Sequence, residues 1–422
     1  MEARGAARPR PAGLVLLVAV FVLLHVLLGI AGLVPGIVGP WGDPDPFGDV
    51  TGVYRFWIDT WHRQGVLVGI DTPWVYPLLA LVPMLAASVG GDAAYGPLWV
   101  VLVTLLDVGA LLLLARRSRR LAWWWVLFTA CLGPVAIGRI DGVALPLAIA
   151  GVLLLAARPL LASALLTAAM WVKVWPAALL AAILTGARRV APVVTGIAAV
   201  SAVVVGAAVV LGAGHQVLSF VGEQTGRGLQ VEAPVTGLWL IDVLLHAPGA
   251  SIYYDQQILT FEVTGDGVAA AAAAMTAVLA VGVLVVLGLA LLARLRGGSE
   301  AEVVALTALG LVSAFVALNK VGSPQYMTWY VAPVLLGLLT TRRFRFPAVL
   351  LLVIAALTQV VYPWCYTLVV NANPALIAIL ELRNLLEVGL LAWTLGALIA
   401  THAGDRTRTA AIGSADRYDV AR

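Results

Sequence analysis

The sequence predicts an all-α, polytopic integral membrane protein with about 12 transmembrane helices in a single domain over residues 1–400. Hydrophobic residues make up 62% of the 422 residues, and charged residues only 11%. A soluble chain of this length cannot bury so much apolar surface. The apolar runs are long and continuous, whereas barrel strands alternate over about ten residues, so helices are favoured over a β-barrel.

The first span is expected to begin near residue 12. The run from Ala12 to Val34 is too long for the apolar part of a signal peptide, and no small-residue cleavage site follows it, so a membrane-anchored first helix is the favoured interpretation. The candidate spans are residues 12–34, 76–91, 95–115, 121–137, 142–157, 160–184, 190–212, 267–293, 301–319, 327–341, 346–364 and 375–400. The polar segment 401–422 is predicted to be a disordered tail.

Alternation of these spans predicts a cell-membrane protein with cytoplasmic N- and C-termini and two long external loops, 35–75 and 213–266. Most arginine clusters then fall inside, as the positive-inside rule requires. The cluster from Arg116 to Arg120 does not, because the same count places it outside. Either a span between residues 76 and 115 is miscounted, or these arginines face an external anion.

The first external loop concentrates unusual residues between Trp41 and Pro77. It contains five aspartates and six Trp or Tyr residues, in a chain with 22 acidic residues in total. Carboxylates and aromatics beside a membrane suit a site that handles a polar substrate. The alternative is a solvated connector whose Trp and Tyr form an interfacial belt.

Asp49 is the preferred candidate for chemistry in this loop. It follows the Gly- and Pro-rich stretch GDPDPFG and precedes VTGVYRFWIDTW, whose apolar residues recur at helical spacing. We therefore expect Asp49 near the N-terminus of a short helix on the membrane surface, where it could be a general base, a helix cap or both. Asp43 and Asp45 are the alternatives, while Asp59 and Asp71 have the pattern of surface and turn residues.

Three cations are candidates for binding an anion. Lys173 lies within an apolar run, where a charge is costly, so it is either functional, paired with an acid or extended to the interface. Lys320 and Arg227 fall outside by the span count and could hold a phosphate. For Arg227 an internal ion pair with the nearby Glu223 or Glu232 is the competing interpretation.

Other charged residues have a structural interpretation. Arg139 and Asp141 are expected to pair with each other at a span end. Glu381, Arg383 and Glu387 open the last span at spacings that favour contacts along a helix. The net charge of +4 reflects basic loops and tails, so no nucleic-acid partner is predicted.

The cysteine and histidine content gives no sign of a metal centre or disulfide framework. Only Cys131 and Cys365 are present, each in or beside an apolar run, and the five histidines show no ligand spacing. No cofactor is therefore predicted. A divalent metal could assist catalysis, but no ligand set is visible in the sequence.

Several short motifs resemble a known family. RGLQVEAP (Arg227–Pro234), NKVGSPQYMTWYVAP (Asn319–Pro333) and GDVTGVYRFW followed by TPWVYPLLAL are similar to the polytopic, family 87-type glycosyltransferases of actinobacteria. These belong to the GT-C superfamily and include polyprenol-phosphate-mannose-dependent α-mannosyltransferases. The likeness extends over most of the chain. It departs from the family pattern at Val75 and Leu78, where relatives more often have an acidic residue and a proline.

The resemblance implies a specific activity and site. It implies a GT-C-like fold with membrane-surface helices in the first external loop and an acidic catalytic base there, which corresponds to Asp49. The implied substrates are a polyprenyl-phosphate sugar donor and a glycolipid or polysaccharide acceptor, handled at the lipid bilayer. The candidate substrate-binding residues are Tyr54, Tyr76, Arg227, Gln230, Glu232, Lys320, Gln325 and Tyr326.

Two other classes of protein fit the same composition. A transporter or lipid flippase is also polytopic and has charges such as Lys173 and Arg139 in its interior. The long Asp-rich loop and the lack of a visible inverted repeat favour the enzyme. A noncatalytic cell-envelope assembly protein is the second alternative, and it would tolerate replacement of Asp49 by Asn.

Overall fold

The computed structural model describes residues 11–38, 45–223 and 226–401, and the chain there is mostly helical. The helices are α1 (Pro11–Leu33), α2 (Arg55–Gln64), α3 (Leu81–Ser88), α4 (Tyr95–Arg117), α5 (Arg119–Leu132), α6 (Asp141–Leu154), α7 (Pro159–Val172), α8 (Ala177–Gly186), α9 (Ala191–Val210), α10 (Ser219–Gly222), α11 (Gly237–Leu244), α12 (Val268–Leu295), α13 (Glu300–Ala317), α14 (Val331–Leu338), α15 (Arg345–Gln359), α16 (Tyr366–Val370) and α17 (Pro374–Ile399). Two strands, β1 (Ser251–Asp255) and β2 (Thr260–Thr264), form an antiparallel hairpin. The tail predicted to be disordered lies outside the described residues, apart from Thr401.

Helices of membrane-spanning character account for much of the bundle. Within the described ranges, six helical stretches are long and apolar enough to cross a bilayer: 12–33, 92–117, 191–210, 268–295, 300–317 and 342–364. The prediction of an all-α membrane protein is confirmed at this level. Because α9 and α12 bury little of their surface inside the bundle, their apolar outer faces are suited to contact with lipid.

One end of the bundle gathers arginines, and we call it the arginine end. The start of α1 lies at this end, because Gly13 is close to the Arg119 side chain. A Cβ placed on Gly13 would lie 2.9 Å from Arg119 Nη1. Arg117 donates to the Leu153 carbonyl at the end of α6. Arg294 donates to the Thr185 carbonyl at the end of α8.

The later arginines belong to the same end. Arg296, after α12, donates to the Ile399 carbonyl at the end of α17. Arg343, before α15, pairs with Glu302 at the start of α13 at 3.3 Å. The cluster from Arg116 to Arg120 therefore lies with the other arginines and not at the opposite end, so the span count was wrong between residues 76 and 115.

The error lies at α3, which does not cross the bundle. A Cβ on Gly96, at the start of α4, would lie 2.6 Å from Leu33 at the end of α1, so α4 starts at the end opposite the arginines. The helix before it, α3, has eight residues, about 12 Å, against the roughly 20 residues that a crossing needs. The predicted span at 76–91 is therefore wrong.

The predicted span at 160–184 is also wrong, because it is a helical hairpin. Helix α7 begins beside the start of α9, since a Cβ on Gly196 would lie 2.8 Å from the Leu160 carbonyl oxygen. Helix α8 ends at Gly186, which contacts Val304 near the start of α13. Both ends of the hairpin are thus at the arginine end. Its tip, from Lys173 to Pro176, points toward the opposite end, which we call the site end.

The tip lies at depth within the bundle. Trp171, at the end of α7, donates from Nε1 to Ser201 Oγ at 3.0 Å, and Ser201 is near the middle of α9. With 14 residues, α7 extends about 21 Å from the arginine end. The chain thus brings a lysine to the interior without placing it in the middle of a continuous helix.

The segment between α9 and α12 closes over the site end. Sequence patterns did not predict its β-hairpin, in which Ser251 pairs with Thr264 and Tyr253 with Glu262. Val231 N–H donates to the Phe261 carbonyl and Val263 N–H to the Leu229 carbonyl, so residues 229–231 lie along the hairpin. This arrangement fixes the stretch that contains Arg227, Gln230 and Glu232.

Candidate functional site

The loop after α1 places Asp49 at the beginning of a helical segment, as predicted. A π-helical turn spans Asp49–Tyr54 and continues directly into α2, which ends at Gly65 with a left-handed backbone (φ 72°). Val50, Tyr54 and Ile58 are buried. Trp61, expected on the apolar face, is 37% exposed instead. The apolar face therefore turns inward, while Trp61 remains at the surface.

Asp45, and not Asp49, stabilises the start of this segment. The Asp45 carboxylate accepts from Phe47 N–H at 2.8 Å and from the Thr51 hydroxyl at 3.2 Å. No side chain caps the turn at Gly48 or Asp49. The interpretation of Asp49 as only a helix cap is therefore wrong. Asp43, the other alternative, lies outside the described residues.

Asp49 is held by two groups and remains accessible. Arg139 Nε lies 3.4 Å from Asp49 Oδ2, and the Tyr54 hydroxyl lies 3.5 Å from the same oxygen. The Asp49 side chain is 32% exposed, compared with 8% for Arg139. A carboxylate that is oriented by a cation and still reachable from outside can accept a proton from a bound molecule.

Arg139 is fixed so that only one edge faces Asp49. Its Nη1 donates to the Pro46 carbonyl at 2.7 Å, and its Nη2 donates to the Tyr362 hydroxyl at 2.9 Å. The predicted ion pair between Arg139 and Asp141 is not formed within the described residues. The Arg139 guanidinium points toward the first loop instead. Because its planar guanidinium group has several fixed hydrogen-bond partners, Arg139 is a rigid support for Asp49.

The aromatics of the loop pack on one another around Tyr54. The ring centroids of Tyr54 and Tyr76 are 6.1 Å apart, and Trp57 and Trp74 lie 5.8 Å and 5.5 Å from Tyr76. Burial, followed by the charges of Tyr76 and Asp49, raises the pKa of Tyr54 well above its usual value. Tyr54 therefore keeps its proton, and its hydroxyl can donate a hydrogen bond to Asp49.

Lys173, at the tip of the α7–α8 hairpin, reaches this cluster. Its Nζ lies 4.3 Å from the centre of the Tyr76 ring, a cation–π contact. Asp141, Asp49, Arg227 and Arg139 all lie within electrostatic reach of the Lys173 ammonium. Lys173 is therefore neither extended to the interface nor locked in a close ion pair, and it belongs to the site.

Arg227 approaches from the segment between α9 and α12. Its Nε is buried and makes no hydrogen bond among the described residues. It lies within electrostatic reach of Lys173 and of the Tyr326 hydroxyl. Two cations therefore converge on one region from separate elements, which is a favourable arrangement for a phosphate.

The Gln230 backbone and the Glu232 side chain both have partners in the structure around this region. Gln230 N–H donates to the Lys320 carbonyl at 3.0 Å, and its own carbonyl accepts from the Thr236 hydroxyl at 2.8 Å. Arg383 donates two hydrogen bonds to Glu232, from Nη1 to the carboxylate at 2.8 Å and from Nη2 to the backbone carbonyl at 2.7 Å. Glu232 therefore pairs with Arg383 and not with Arg227.

Lys320 belongs to a different charge cluster. Its side chain is 8% exposed and lies within electrostatic reach of Glu262. Burial lowers the pKa of the Lys320 ammonium, while the Glu262 charge opposes that shift. Glu262 also accepts from Gly228 N–H at 3.0 Å and from the Tyr253 hydroxyl at 2.9 Å. The structure thus uses Lys320 to join the hairpin to the loop after α13.

The remaining candidates lie close together on that loop. The Ser323 hydroxyl donates to Gln325 Oε1 at 2.6 Å, so Gln325 is occupied locally. The Tyr326 ring lies 4.0 Å from that of Trp329, which stacks at 6.2 Å on Trp175 beside the hairpin tip. This loop therefore presents aromatic faces to the region of Lys173.

The predicted residues thus divide into two groups. Asp49, Tyr54, Tyr76, Arg227 and Tyr326 surround one region, and Lys173 joins them. Gln230, Glu232, Lys320 and Gln325 form what we call the structural wall, although Glu232 also lies within electrostatic reach of Tyr326 and Arg139. Sequence reasoning did not single out Tyr362 or Trp329, since nothing in an apolar segment marks which aromatic turns inward, although Trp329 lies within a quoted motif.

Acidic residues do not assemble into a metal site in the part of the chain that the structure describes. No group of three or more His, Cys, Asp or Glu side chains there is arranged to hold a metal ion. The region around Asp49 instead alternates carboxylates with cations, which suits an anionic ligand.

Comparison with protein-family models and with curated proteins gives no match to this chain.

Proposed function

We propose that this protein is a membrane glycosyltransferase with a GT-C-like fold, similar to the family 87 enzymes. It transfers a sugar, mannose in the best-known relatives, from a polyprenyl-phosphate donor to a hydroxyl of a glycolipid or polysaccharide. The observation that carries the proposal is Asp49. It is an oriented, accessible carboxylate next to Arg139, with Lys173 and Arg227 converging on the same region.

The reaction takes place on the outer face of the membrane. The arginine end is cytoplasmic by the positive-inside rule, which assigns the site end to the exterior. This assignment keeps both termini cytoplasmic. It also removes the arginines at 116–120 from any role at the phosphate.

Asp49 is the general base of the transfer. It takes the proton of the acceptor hydroxyl, whose oxygen forms a bond to the anomeric carbon. The bond from that carbon to the phosphate oxygen breaks, and its electron pair leaves with polyprenyl phosphate. General-base catalysis of this kind contributes about 10²- to 10⁴-fold to a rate.

Lys173 and Arg227 hold the leaving phosphate. Cations fixed where negative charge develops stabilise a transition state without reorganisation. Lys320, the earlier candidate, lies instead with Glu262, so we assign it to the structural wall. A leaving group whose charge is already neutralised needs no general acid.

A transfer assay in proteoliposomes tests the proposal. The protein is supplied with radiolabelled polyprenyl-phosphate mannose and a membrane extract containing acceptors. We expect labelled glycolipid or polysaccharide from wild type and at least a hundredfold lower rate from Asp49→Asn. Asp45→Asn is the matched control, because an amide oxygen can still accept from Phe47 N–H. Equal transfer by wild type and Asp49→Asn would remove Asp49 as the base.

A transporter or lipid flippase remains the second candidate because of one observation. His25 Nε2 lies 2.9 Å from Asp107 Oδ2 between α1 and α4, and both side chains are buried. Ionisable pairs inside a bundle mark proton and substrate pathways in many transporters. The same proteoliposomes decide between the two, since movement of labelled lipid between leaflets without sugar transfer supports the transporter.

A further inference from the structure

Asp141 is the buried acid beside the Asp49 region that the proposed mechanism does not use. It is the first residue of α6 and is 1% exposed. Trp329 Nε1 donates to its Oδ1 at 2.6 Å. Its Oδ2 is buried and has no hydrogen-bond partner within the described ranges. A buried carboxylate oxygen without a partner is costly, so it calls for an explanation.

A purely structural role for Asp141 accounts for only half of the side chain. At the start of α6 the negative charge is favoured by the helix dipole, yet no side chain caps this helix. Trp329 satisfies Oδ1 alone. Lys173 lies within electrostatic reach but makes no ion pair shorter than 4.0 Å with Asp141 in the described structure. The arrangement leaves a buried acceptor without a hydrogen-bond donor, within electrostatic reach of a cation.

The surroundings identify the kind of group that fits. The Trp329 ring lies 6.2 Å from that of Trp175 and 4.0 Å from that of Tyr326, so aromatic side chains surround the hydrogen-bond donor of this carboxylate. A cation is disfavoured, because Lys173 and Arg139 already lie within reach of Asp141. Hydroxyl groups on an apolar ring satisfy both features, since the hydroxyl donates to the carboxylate and the ring face packs on the aromatics.

We propose that Asp141 is a specificity residue of the donor site, whose Oδ2 accepts a hydrogen bond from a hydroxyl of the transferred sugar. Trp329 positions it, and Lys173 lies between this sugar subsite and the phosphate. The inference rests on the proposed transferase and adds the element that distinguishes a sugar-bearing lipid phosphate from a bare one.

The test separates sugar recognition from phosphate recognition. Full-length protein in nanodiscs receives Asp49→Asn to stop turnover, and its affinity is measured for polyprenyl phosphate and for polyprenyl-phosphate mannose. Adding Asp141→Asn is expected to weaken binding of the mannosyl lipid about tenfold or more, as for a hydrogen bond to a charged group, with affinity for the bare phosphate within twofold. Asp59→Asn, at a partly buried position of α2 that lies near Tyr95, is the control and should change neither affinity.

A second measurement covers the case in which Asp141→Asn alters folding. Singly deoxygenated mannosyl lipids are compared on protein with an intact Asp141. One deoxygenated position should lose about as much affinity as Asp141→Asn, and combining the two should cost no more than either alone. Trp329→Phe, which keeps a ring but removes the N–H donor, should lower the sugar preference partly.

The outcomes are distinct. Equal weakening of both lipids by Asp141→Asn, or no deoxygenated position that matters, overturns the sugar subsite. A protein that binds both lipids equally before Asp141 is changed overturns it as well. A protein that prefers the mannosyl lipid through Asp141 yet never transfers its sugar retains the subsite and overturns the proposed enzyme.

Discussion

At the scale of single residues, burial and partners separate functional acids from structural ones. Five aspartates in one loop were equivalent by composition. The structure gives Asp45 a capping role, Asp71 a turn in which it accepts from Leu67 N–H, and Asp49 an arginine support. The choice of Asp49 came from sequence, but Arg139 as its support could not, because the two are far apart in the chain.

Arg383 provides a prediction at this scale. It and Glu232 are 2% and 4% exposed and bind each other at 2.8 Å. Arg383→Met leaves a buried carboxylate without its partner, so we expect the free energy of unfolding to fall by roughly 3–5 kcal/mol. Thermal unfolding in detergent micelles measures the loss. The double variant Arg383→Met, Glu232→Leu should recover only part of it, because the buried Glu387, 3.4 Å from Arg383 Nε, still loses its partner. A single variant as stable as wild type would contradict the structural role.

At the scale of elements, the sequence predicted most helices, but only six stretches of the described residues are long and apolar enough to cross a bilayer, and two of the twelve predicted spans do not cross the bundle. The stretch 160–184 is apolar throughout, and proline is tolerated within membrane helices, so periodicity could not show the turn at Lys173–Pro176. The prediction of a span at 76–91 was wrong for a related reason. An apolar run of that length fits a short re-entrant helix as well as a helix that crosses the bilayer. The helix after Asp49 was predicted because its spacing was amphipathic, and its place on the membrane surface stays a prediction.

The packing of the loop after α13 on the segment from Arg227 to Ala233 gives a prediction about that segment. A Cβ on Gly322 would clash with Ala233 N and lie 2.6 Å from the Glu232 carbonyl oxygen, so two backbones touch there. Gly322→Ala should displace the segment from Arg227 to Ala233 and weaken binding of polyprenyl phosphate severalfold. Gly226→Ala is the matched control, because a Cβ there meets nothing within 4 Å. Equal affinity in the two variants would show that the segment's position does not matter for the phosphate.

At the scale of the whole molecule, the structure removes the conflict with the positive-inside rule. Two errors in counting spans, one at α3 and one at the α7–α8 hairpin, offset each other. The later arginines therefore lie at the same end of the bundle as the span count requires, whereas the cluster at 116–120 lies at the end opposite to the one that the count gives it. Only the three-dimensional arrangement reveals this, because each error alone is hidden in a continuous apolar run.

Labelling of cysteines tests this orientation. In a background with Cys131→Ala and Cys365→Ala, we expect Arg120→Cys to react with a membrane-impermeant maleimide only after the membrane is opened. Asp92→Cys, at the opposite end next to α4, should react in intact cells. Both positions are exposed in the fold, so burial does not limit either reaction. Labelling of Arg120→Cys in intact cells would contradict the proposed topology.

The separation of donor binding from sugar transfer in Asp49→Asn tests the central claim most directly. A general base acts on the acceptor proton and not on the donor, so the account predicts donor affinity within about threefold of wild type and transfer at least a hundredfold slower. Binding is measured in nanodiscs with polyprenyl-phosphate mannose, and transfer as single turnover with saturating donor. Transfer at the wild-type rate, or a parallel loss of binding and transfer, would contradict the role of Asp49 as the catalytic base.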